Sequence, residues 1–183
     1  MRNKPSLWVL LLALVAAPSV AADLAPIPTP PDVSASNYLV VDYHSGATLA
    51  AKDATQPVEP ASITKVMTAY VVFRELEAGN INLGDEVTIS DHAWRKSKGT
   101  SRMFLEPRTK VAVEELLLGM IIQSGNDASI ALAEHIAGSE ETFASLMNAY
   151  AAELGLSGSN WRNSTGLPDD DHYTTAQIGR AHV

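Results

Sequence analysis

The sequence has no cysteine among its 183 residues. Disulfides are therefore excluded, and an exported form of this protein must depend on its hydrophobic core for stability. Basic side chains are also few: 13 lysines and arginines stand against 21 aspartates and glutamates, for a formal net charge of −8. Because nucleic-acid binding needs a basic surface that displaces counterions, we expect no nucleic-acid partner.

Close groups of metal-ligating side chains are lacking as well. The histidines are scattered along the chain at His44, His92, His135, His172 and His182. None of them has the close histidine or carboxylate spacing that is typical of a zinc site. We therefore expect no metal site.

Long hydrophobic runs are lacking outside the N-terminus. There, a basic start precedes an apolar run over residues 7–17, which small residues follow. This pattern is typical of a secretory signal peptide, and it predicts one over residues 1–22 with cleavage after Ala21 or Ala22. The run is shorter than the roughly 20 residues of a membrane-spanning helix, although an uncleaved anchor is the alternative.

Beyond the signal peptide, the chain divides into a leader and one domain. Residues 23–35 are rich in proline and predict an extended leader, and residues 36–176 predict the domain. In the domain, Tyr38–Tyr43 and Ala47–Ala51 flank an H-S-G turn and predict a β-hairpin.

Apolar segments in the rest of the domain predict four helices. The first begins near Ser62 and ends before Gly79, and the others are Val111–Ile122, Ala128–Ala137 and Glu140–Leu154. Residues 80–105 are mixed and rich in turns. Two strands followed by several helices, without βαβ alternation, predict an α+β fold.

Ser62 and Lys65 form an S-x-x-K pair at the start of the first predicted helix. Residues three apart share a helix face, with Cβ atoms about 5–6 Å apart, so the lysine can reach the hydroxyl. A serine becomes a nucleophile when a base takes its proton, and burial or a helix N-terminus can lower a lysine pKa enough for that role. The helix is apolar nearly all round, which predicts burial. The alternative is a serine N-cap followed by an exposed lysine.

Ser124, Gly125 and Asn126 form a polar break between two apolar helices. A simple helix–helix turn would account for the glycine and for one following cap residue. It would not account for a polar group set between such apolar flanks, where polar groups are costly unless they are satisfied or face a cleft.

Together, S-x-x-K and S-x-N are the first two motifs of the penicillin-recognising serine enzymes. Their surroundings, "EPASITKVMTAYV", "KGTSRMFLEP" and "LLLGMIIQSGNDASIALAEHIAG", closely resemble the D-alanyl-D-alanine carboxypeptidases among the low-molecular-mass penicillin-binding proteins. The resemblance covers about residues 36–175. It implies the serine DD-peptidase fold, which is β-lactamase-like, with an antiparallel sheet and a helical half.

The resemblance also implies a role for each motif residue. Ser62 would be the acylated nucleophile and Lys65 its general base. Ser124 would relay a proton to the departing D-alanine, and Asn126 would bind the acyl-side amide of the substrate. Lys98 would lie in a loop that borders the cleft, without a catalytic role.

The implied reaction removes the terminal D-alanine from peptidoglycan stem peptides that end in D-Ala-D-Ala. It needs no cofactor, and β-lactams would be covalent inhibitors. We expect the protein to be exported to the periplasm, where it could lie at the outer face of the cytoplasmic membrane through a C-terminal anchor that this sequence does not contain.

Three alternatives share parts of this pattern. A class A β-lactamase shares S-x-x-K but would carry S-D-N and a loop glutamate that activates water. A penicillin-sensing domain would also be acylated at Ser62 but would normally be fused to membrane helices. A structural wall-binding protein would keep the fold without catalysis, whereas both motifs are intact here.

The third family motif, K-T-G on a strand that lines the cleft, does not occur in the sequence. We therefore expect the C-terminal strands of the fold to be missing and this chain by itself to be an inactive fragment. Residues 177–183 ("QIGRAHV") depart from the family pattern and equal the translation of a common sequencing adapter, so we expect them to be a non-native tail.

Overall fold

The computed structural model of the chain describes residues 29–178. The predicted signal peptide, part of the leader and residues 179–183 lie outside the described residues. A compact unit begins at Val33. Of the predicted tail, only Gln177 and Ile178 are described, so its non-native origin stays a prediction.

The described residues contain two antiparallel sheets of two strands each. Strand β1 (Tyr38–Val41) pairs with β2 (Thr48–Lys52), which confirms the predicted hairpin; the first strand is shorter than predicted and the second is shifted by one residue. Strand β3 (Glu86–Thr88) pairs with β4 (Lys110–Ala112). The short strands and the helices that follow make this an α+β fold, as predicted.

Five α-helices form the helical half of the described chain. They are α1 (Thr64–Glu77), α2 (Asp91–Lys96), α3 (Val113–Gln123), α4 (Asn126–Ala137) and α5 (Glu140–Glu153). A 3₁₀ turn directly precedes α1. The four helices predicted from the sequence are all present.

Two predictions about where helices lie along the chain were wrong. The predicted helix at Val111 begins instead at Val113, because Val111 pairs with Val87 between β4 and β3. Helix α2 lies in a stretch where no helix was predicted, and six residues are too few to show a helical period. Its start is fixed by Ser90, whose side-chain oxygen accepts the Ala93 N–H at 2.9 Å.

Helix α4 lies at the centre of the core, in contact with α1, α2, α3 and α5. Its first eight residues are all buried, and several are alanine or serine, which lets neighbouring helices approach closely. One hydrophobic cluster, around Leu116 and Ile130, lies on the α3 side of α4. A second cluster, around Phe143 and Trp161, lies on the α5 side.

Helix α1 is buried on one side only, contrary to the prediction that it is buried all round. Met67, Val71 and Val72 are fully buried, because this side packs against α3, α4 and α5. Val66 and Phe73, on the other side, are each about half exposed. No helix within residues 29–178 is both long and apolar enough to span a lipid bilayer.

Candidate active site

Ser62 lies in the 3₁₀ turn Ala61–Ile63, just before α1, and is exposed. The N-cap of α1 is Ile63, and no side chain caps this helix. The serine N-cap alternative is therefore wrong. Ala61 has a left-handed backbone with φ of 45°, which non-glycine residues adopt only at a cost.

Lys65 lies in the first turn of α1, with only 6% of its surface exposed. Its Nζ donates to the Thr165 carbonyl oxygen at 2.7 Å and to Ser62 Oγ at 3.2 Å. Burial disfavours the charged form and lowers the pKa of Lys65 from 10.5 to about 8. The alternative of an exposed lysine is therefore wrong.

The segment Asn163–Gly166, here called the 163 loop, carries the carbonyl that Lys65 contacts. Asn163 Oδ1 accepts the backbone N–H groups of Thr165 at 3.1 Å and of Gly166 at 2.7 Å. Glu140 Oε1 accepts both the N–H and the hydroxyl of Ser164, at 3.0 and 2.8 Å. Side chains of the protein thus satisfy the backbone N–H groups of Ser164, Thr165 and Gly166.

The 163 loop is also tied to the helices beneath it. The carbonyl oxygen of Ser164 accepts the hydroxyls of Thr68 at 2.7 Å and of Ser129 at 2.6 Å. Because Thr68 is on α1 and Ser129 is on α4, this one carbonyl joins two helices. Sequence analysis missed the loop, since its partners lie far away along the chain.

His172 stabilises the segment between Ser62 and Lys65 through two hydrogen bonds of its ring. Its Nδ1 accepts the Arg162 N–H at 3.0 Å, so the hydrogen of the neutral ring is on Nε2, which donates to Thr64 Oγ1 at 2.8 Å. Burial lowers the pKa of His172, which favours this neutral form. Thr64 immediately follows the Ser62 turn and precedes Lys65, so the histidine fixes the backbone between them.

Ser124 is the C-cap of α3, with a left-handed backbone and φ of 54°, and is half-buried. Gly125 follows in a confined position. A Cβ atom there would lie 3.2 Å from both the Gly119 carbonyl oxygen and the Met103 nitrogen. A side chain at this position would crowd the sharp break between α3 and α4.

Asn126 is the first residue of α4 and is 5% exposed. Its backbone N–H donates to the Ser101 carbonyl oxygen at 2.8 Å, and its Nδ2 donates to Thr100 Oγ1 at 2.9 Å. Its Oδ1 is buried and has no hydrogen-bond partner among residues 29–178. A buried amide oxygen without a partner is energetically costly.

Asp127 is a further residue of this region whose role sequence analysis missed. It is 1% exposed, and its two carboxylate oxygens accept the N–H groups of Met103 and Leu105, each at 3.0 Å. The sequence suggested only a helix cap at this position. Asp127 instead anchors residues 103–105 against the start of α4.

A cavity of about 430 Å³ brings the two motifs together. Ser62, Lys65 and Ser124 line it, and Asn126 does not. The rest of its lining is apolar and comes from α1 and α3: Val66, Ala69, Tyr70, Phe73, Met120 and Ile121. Within the described residues, no group of three histidine or carboxylate side chains could hold a metal ion.

Comparison with known proteins identifies the family. A profile of the D-alanyl-D-alanine carboxypeptidases matches residues 25–178. The chain belongs to this family. It is 44% identical over 159 residues to the D-alanyl-D-alanine carboxypeptidase DacA of Haemophilus influenzae and 45% identical over 161 residues to DacC of Escherichia coli. These alignments cover 85% and 84% of this chain and 40% of each relative, so the chain spans about two fifths of their length.

Solved structures show the same fold. Penicillin-binding protein 5 of Haemophilus influenzae superposes with a TM-score of 0.81 at 44% identity, over 85% of this chain and 46% of that one. The fold of the described residues is therefore that of the serine DD-peptidases, as the sequence predicted.

Gly166 allows the close approach between the 163 loop and the Ser62 turn. Its φ is +83°, and a Cβ atom there would overlap with the carbonyl oxygen of Ala61. Gly138 has a similar φ of +79° with open space around it, which makes it a matched control. We expect Gly166→Ala and Gly138→Ala both to lose about 1 kcal/mol of stability from the left-handed backbone.

Only Gly166→Ala should also displace the Ser62 turn. We expect it to unfold at a lower urea concentration than Gly138→Ala, because its added Cβ atom must displace the Ala61 carbonyl. Urea denaturation checks this. Equal effects of the two substitutions would contradict a contact-based role for Gly166.

Proposed function

We propose that Ser62 is the nucleophile of a serine-type D-alanyl-D-alanine carboxypeptidase, which removes the terminal D-alanine from peptidoglycan stem peptides. The observation that carries this proposal is the exposed Ser62 Oγ at 3.2 Å from the buried Nζ of Lys65, whose pKa is lowered to about 8. The names of the relatives support the reaction, since each is a D-alanyl-D-alanine carboxypeptidase.

Lys65 acts as the general base in the first step. At pH 7, a lysine with a pKa of about 8 is neutral in roughly a tenth of the molecules, whereas an ordinary lysine is almost never neutral. The neutral amine takes the Ser62 proton while Oγ bonds to the carbonyl carbon between the two D-alanines. In the neutral amine, an N–H group still donates to the Thr165 carbonyl oxygen, and the single lone pair can accept the Ser62 hydroxyl, which reverses the direction of the bond that the charged form donates to Ser62 Oγ.

In this proposal, Ser124 protonates the leaving group and Asn126 binds the acyl side of the substrate. Ser124 shares the cavity with Ser62 and Lys65, so its hydroxyl can pass a proton to the nitrogen of the departing D-alanine when the C–N bond breaks. Asn126 Oδ1 lacks a partner in the described chain, and a substrate amide N–H would satisfy it once the side chains that separate it from the cavity move aside. In the second step, Lys65 takes a proton from water as the water oxygen adds to the Ser62 ester, and the peptide leaves as a free acid while Lys65 returns that proton to Ser62 Oγ.

The same nucleophile accounts for penicillin binding. A β-lactam presents its ring carbonyl to Ser62 in place of the scissile peptide, and ring opening leaves an ester on the serine. We further propose that the protein acts in the periplasm, because the substrate is the cell wall and the N-terminal sequence has the pattern of a signal peptide.

Ser62 should carry a covalent adduct after the full-length protein is incubated with benzylpenicillin. Intact-mass measurement would show the mass of protein plus penicillin, and Ser62→Ala should show none. The adduct should be lost slowly, and D-alanine should be released from a D-Ala-D-Ala peptide. Absence of an adduct, or one that survives in Ser62→Ala, would overturn the assignment.

The same experiment separates the alternative activities. Rapid turnover of penicillin would indicate a β-lactamase. A stable adduct without release of D-alanine from any D-Ala-D-Ala peptide would indicate a sensing domain.

Lys65→Arg keeps the positive charge but provides no base, because guanidinium is not deprotonated at working pH. We expect acylation of Ser62 to slow by about 10²–10⁴-fold, the usual contribution of a general base. Wild-type acylation should rise about tenfold from pH 7 to pH 9 as Lys65 loses its proton, and the residual rate of Lys65→Arg should lack that rise. An arginine variant that reacts at the wild-type rate would refute the base role.

A further inference from the structure

Residues 92–105 contain no carboxylate, although the chain is acidic overall. Within this stretch, Lys98 is exposed and Arg102 is partly exposed. The ion pairs of the described residues involve other cations, and neither of these two side chains has a carboxylate within 4.0 Å. We call Lys98 and Arg102 the basic pair.

Both members of the basic pair are held against aromatic rings. Lys98 Nζ lies 3.5 Å from the ring centroid of Trp94, and the Arg102 guanidinium carbon lies 4.8 Å from that of Phe104. Such contacts restrict long side chains that would otherwise be disordered in solvent. A charge that is already held in place loses less entropy when it binds a ligand.

The basic pair flanks the segment that contacts Asn126. The Asn126 side chain and backbone bind Thr100 and Ser101, which lie between Lys98 and Arg102 in the sequence. In the proposed reaction, Asn126 binds the amide on the acyl side of the scissile bond. In the proposed reaction, the segment that carries Lys98 and Arg102 is therefore next to Asn126, on the acyl side of the substrate and not at its C-terminal D-alanine.

Phe104 shows that this segment is held in a costly conformation. Its φ is 63° and its side chain is 75% exposed, although it is a large apolar residue. Asp127 enforces this arrangement by binding the N–H groups of Met103 and Leu105 on either side. Strained residues that a buried group holds in place are typical of binding sites. Here the strained residue is Phe104, whose ring contacts the Arg102 guanidinium.

We propose that Lys98 and Arg102 bind a carboxylate on the acyl side of the substrate peptide, upstream of D-Ala-D-Ala. This inference rests on the function proposed above and adds a specificity: the site selects anionic peptides over neutral ones of the same shape. An exposed ion pair is modest in strength, and two of them correspond to a preference of about threefold to tenfold at low ionic strength.

The test measures peptide affinity in the full-length protein that carries Ser62→Ala, so that binding is observed without turnover. The ligands are acetyl-Glu-D-Ala-D-Ala and its glutamine counterpart, which differ only in one carboxylate. We expect calorimetry to show about threefold to tenfold tighter binding of the glutamate peptide, with a difference that shrinks as salt is added.

Adding Lys98→Gln and Arg102→Gln should remove the preference while the affinity for the glutamine peptide stays unchanged. The matched control is Lys110→Gln, which removes an exposed lysine on β4, paired with Glu86, and should leave the preference intact. The proposal is overturned if the parent protein binds both peptides with equal affinity or binds neither. It is also overturned if the preference survives the double substitution, or if the double substitution weakens the binding of both peptides equally.

A penicillin adduct on Ser62 separates this inference from the proposed function. If the adduct forms in the protein without Ser62→Ala and the peptides show no charge preference, only the carboxylate site is refuted. If no adduct forms, the proposed function itself fails.

Discussion

The hydrogen bond from Lys65 Nζ to the Thr165 carbonyl oxygen, at 2.7 Å, is the contact on which the site depends. It places the lysine amine in a buried position where the charged form is disfavoured, and burial lowers its pKa to about 8. The same contact keeps the amine within 3.2 Å of Ser62. A buried amine needs a rigid acceptor, and the 163 loop supplies one through the bonds that Glu140 and Asn163 make to it.

Three of the five non-glycine residues with positive φ in the described chain lie in segments that contain or contact the two motifs. Ala61, Phe104 and Ser124 all have left-handed backbones, and each such residue costs on the order of 1–3 kcal/mol. Each of them is next to a buried or confined group. Gly166 of the 163 loop lies against the Ala61 carbonyl, Asp127 accepts hydrogen bonds from the residues on either side of Phe104, and the confined Gly125 follows Ser124. The core around α4 supports these segments, since α4 contributes Asp127 and also Ser129, which binds the loop.

The sequence was informative for several contacts between residues that are close along the chain, although it missed the Ser90 cap of α2. The approach of Lys65 to Ser62 follows from helical spacing, and the hairpin follows from two short segments that flank an H-S-G turn. The sequence could not predict that Lys65 also bonds to Thr165, because these residues are 100 positions apart. It likewise gave no sign of Glu140 as a partner of Ser164, since a glutamate in the first turn of a helix looks like an ordinary exposed residue.

In the proposed reaction, Lys65 can act as a base because burial lowers its pKa. A direct test is an NMR titration of the full-length protein with ¹³C-labelled lysine, in which the Lys65 signal is assigned by its absence in Lys65→Met. The account predicts a midpoint near 8, well below the 10.5 of an ordinary lysine. A midpoint near 10.5 would show that the ammonium is fully stabilised in its charged form and would contradict the account.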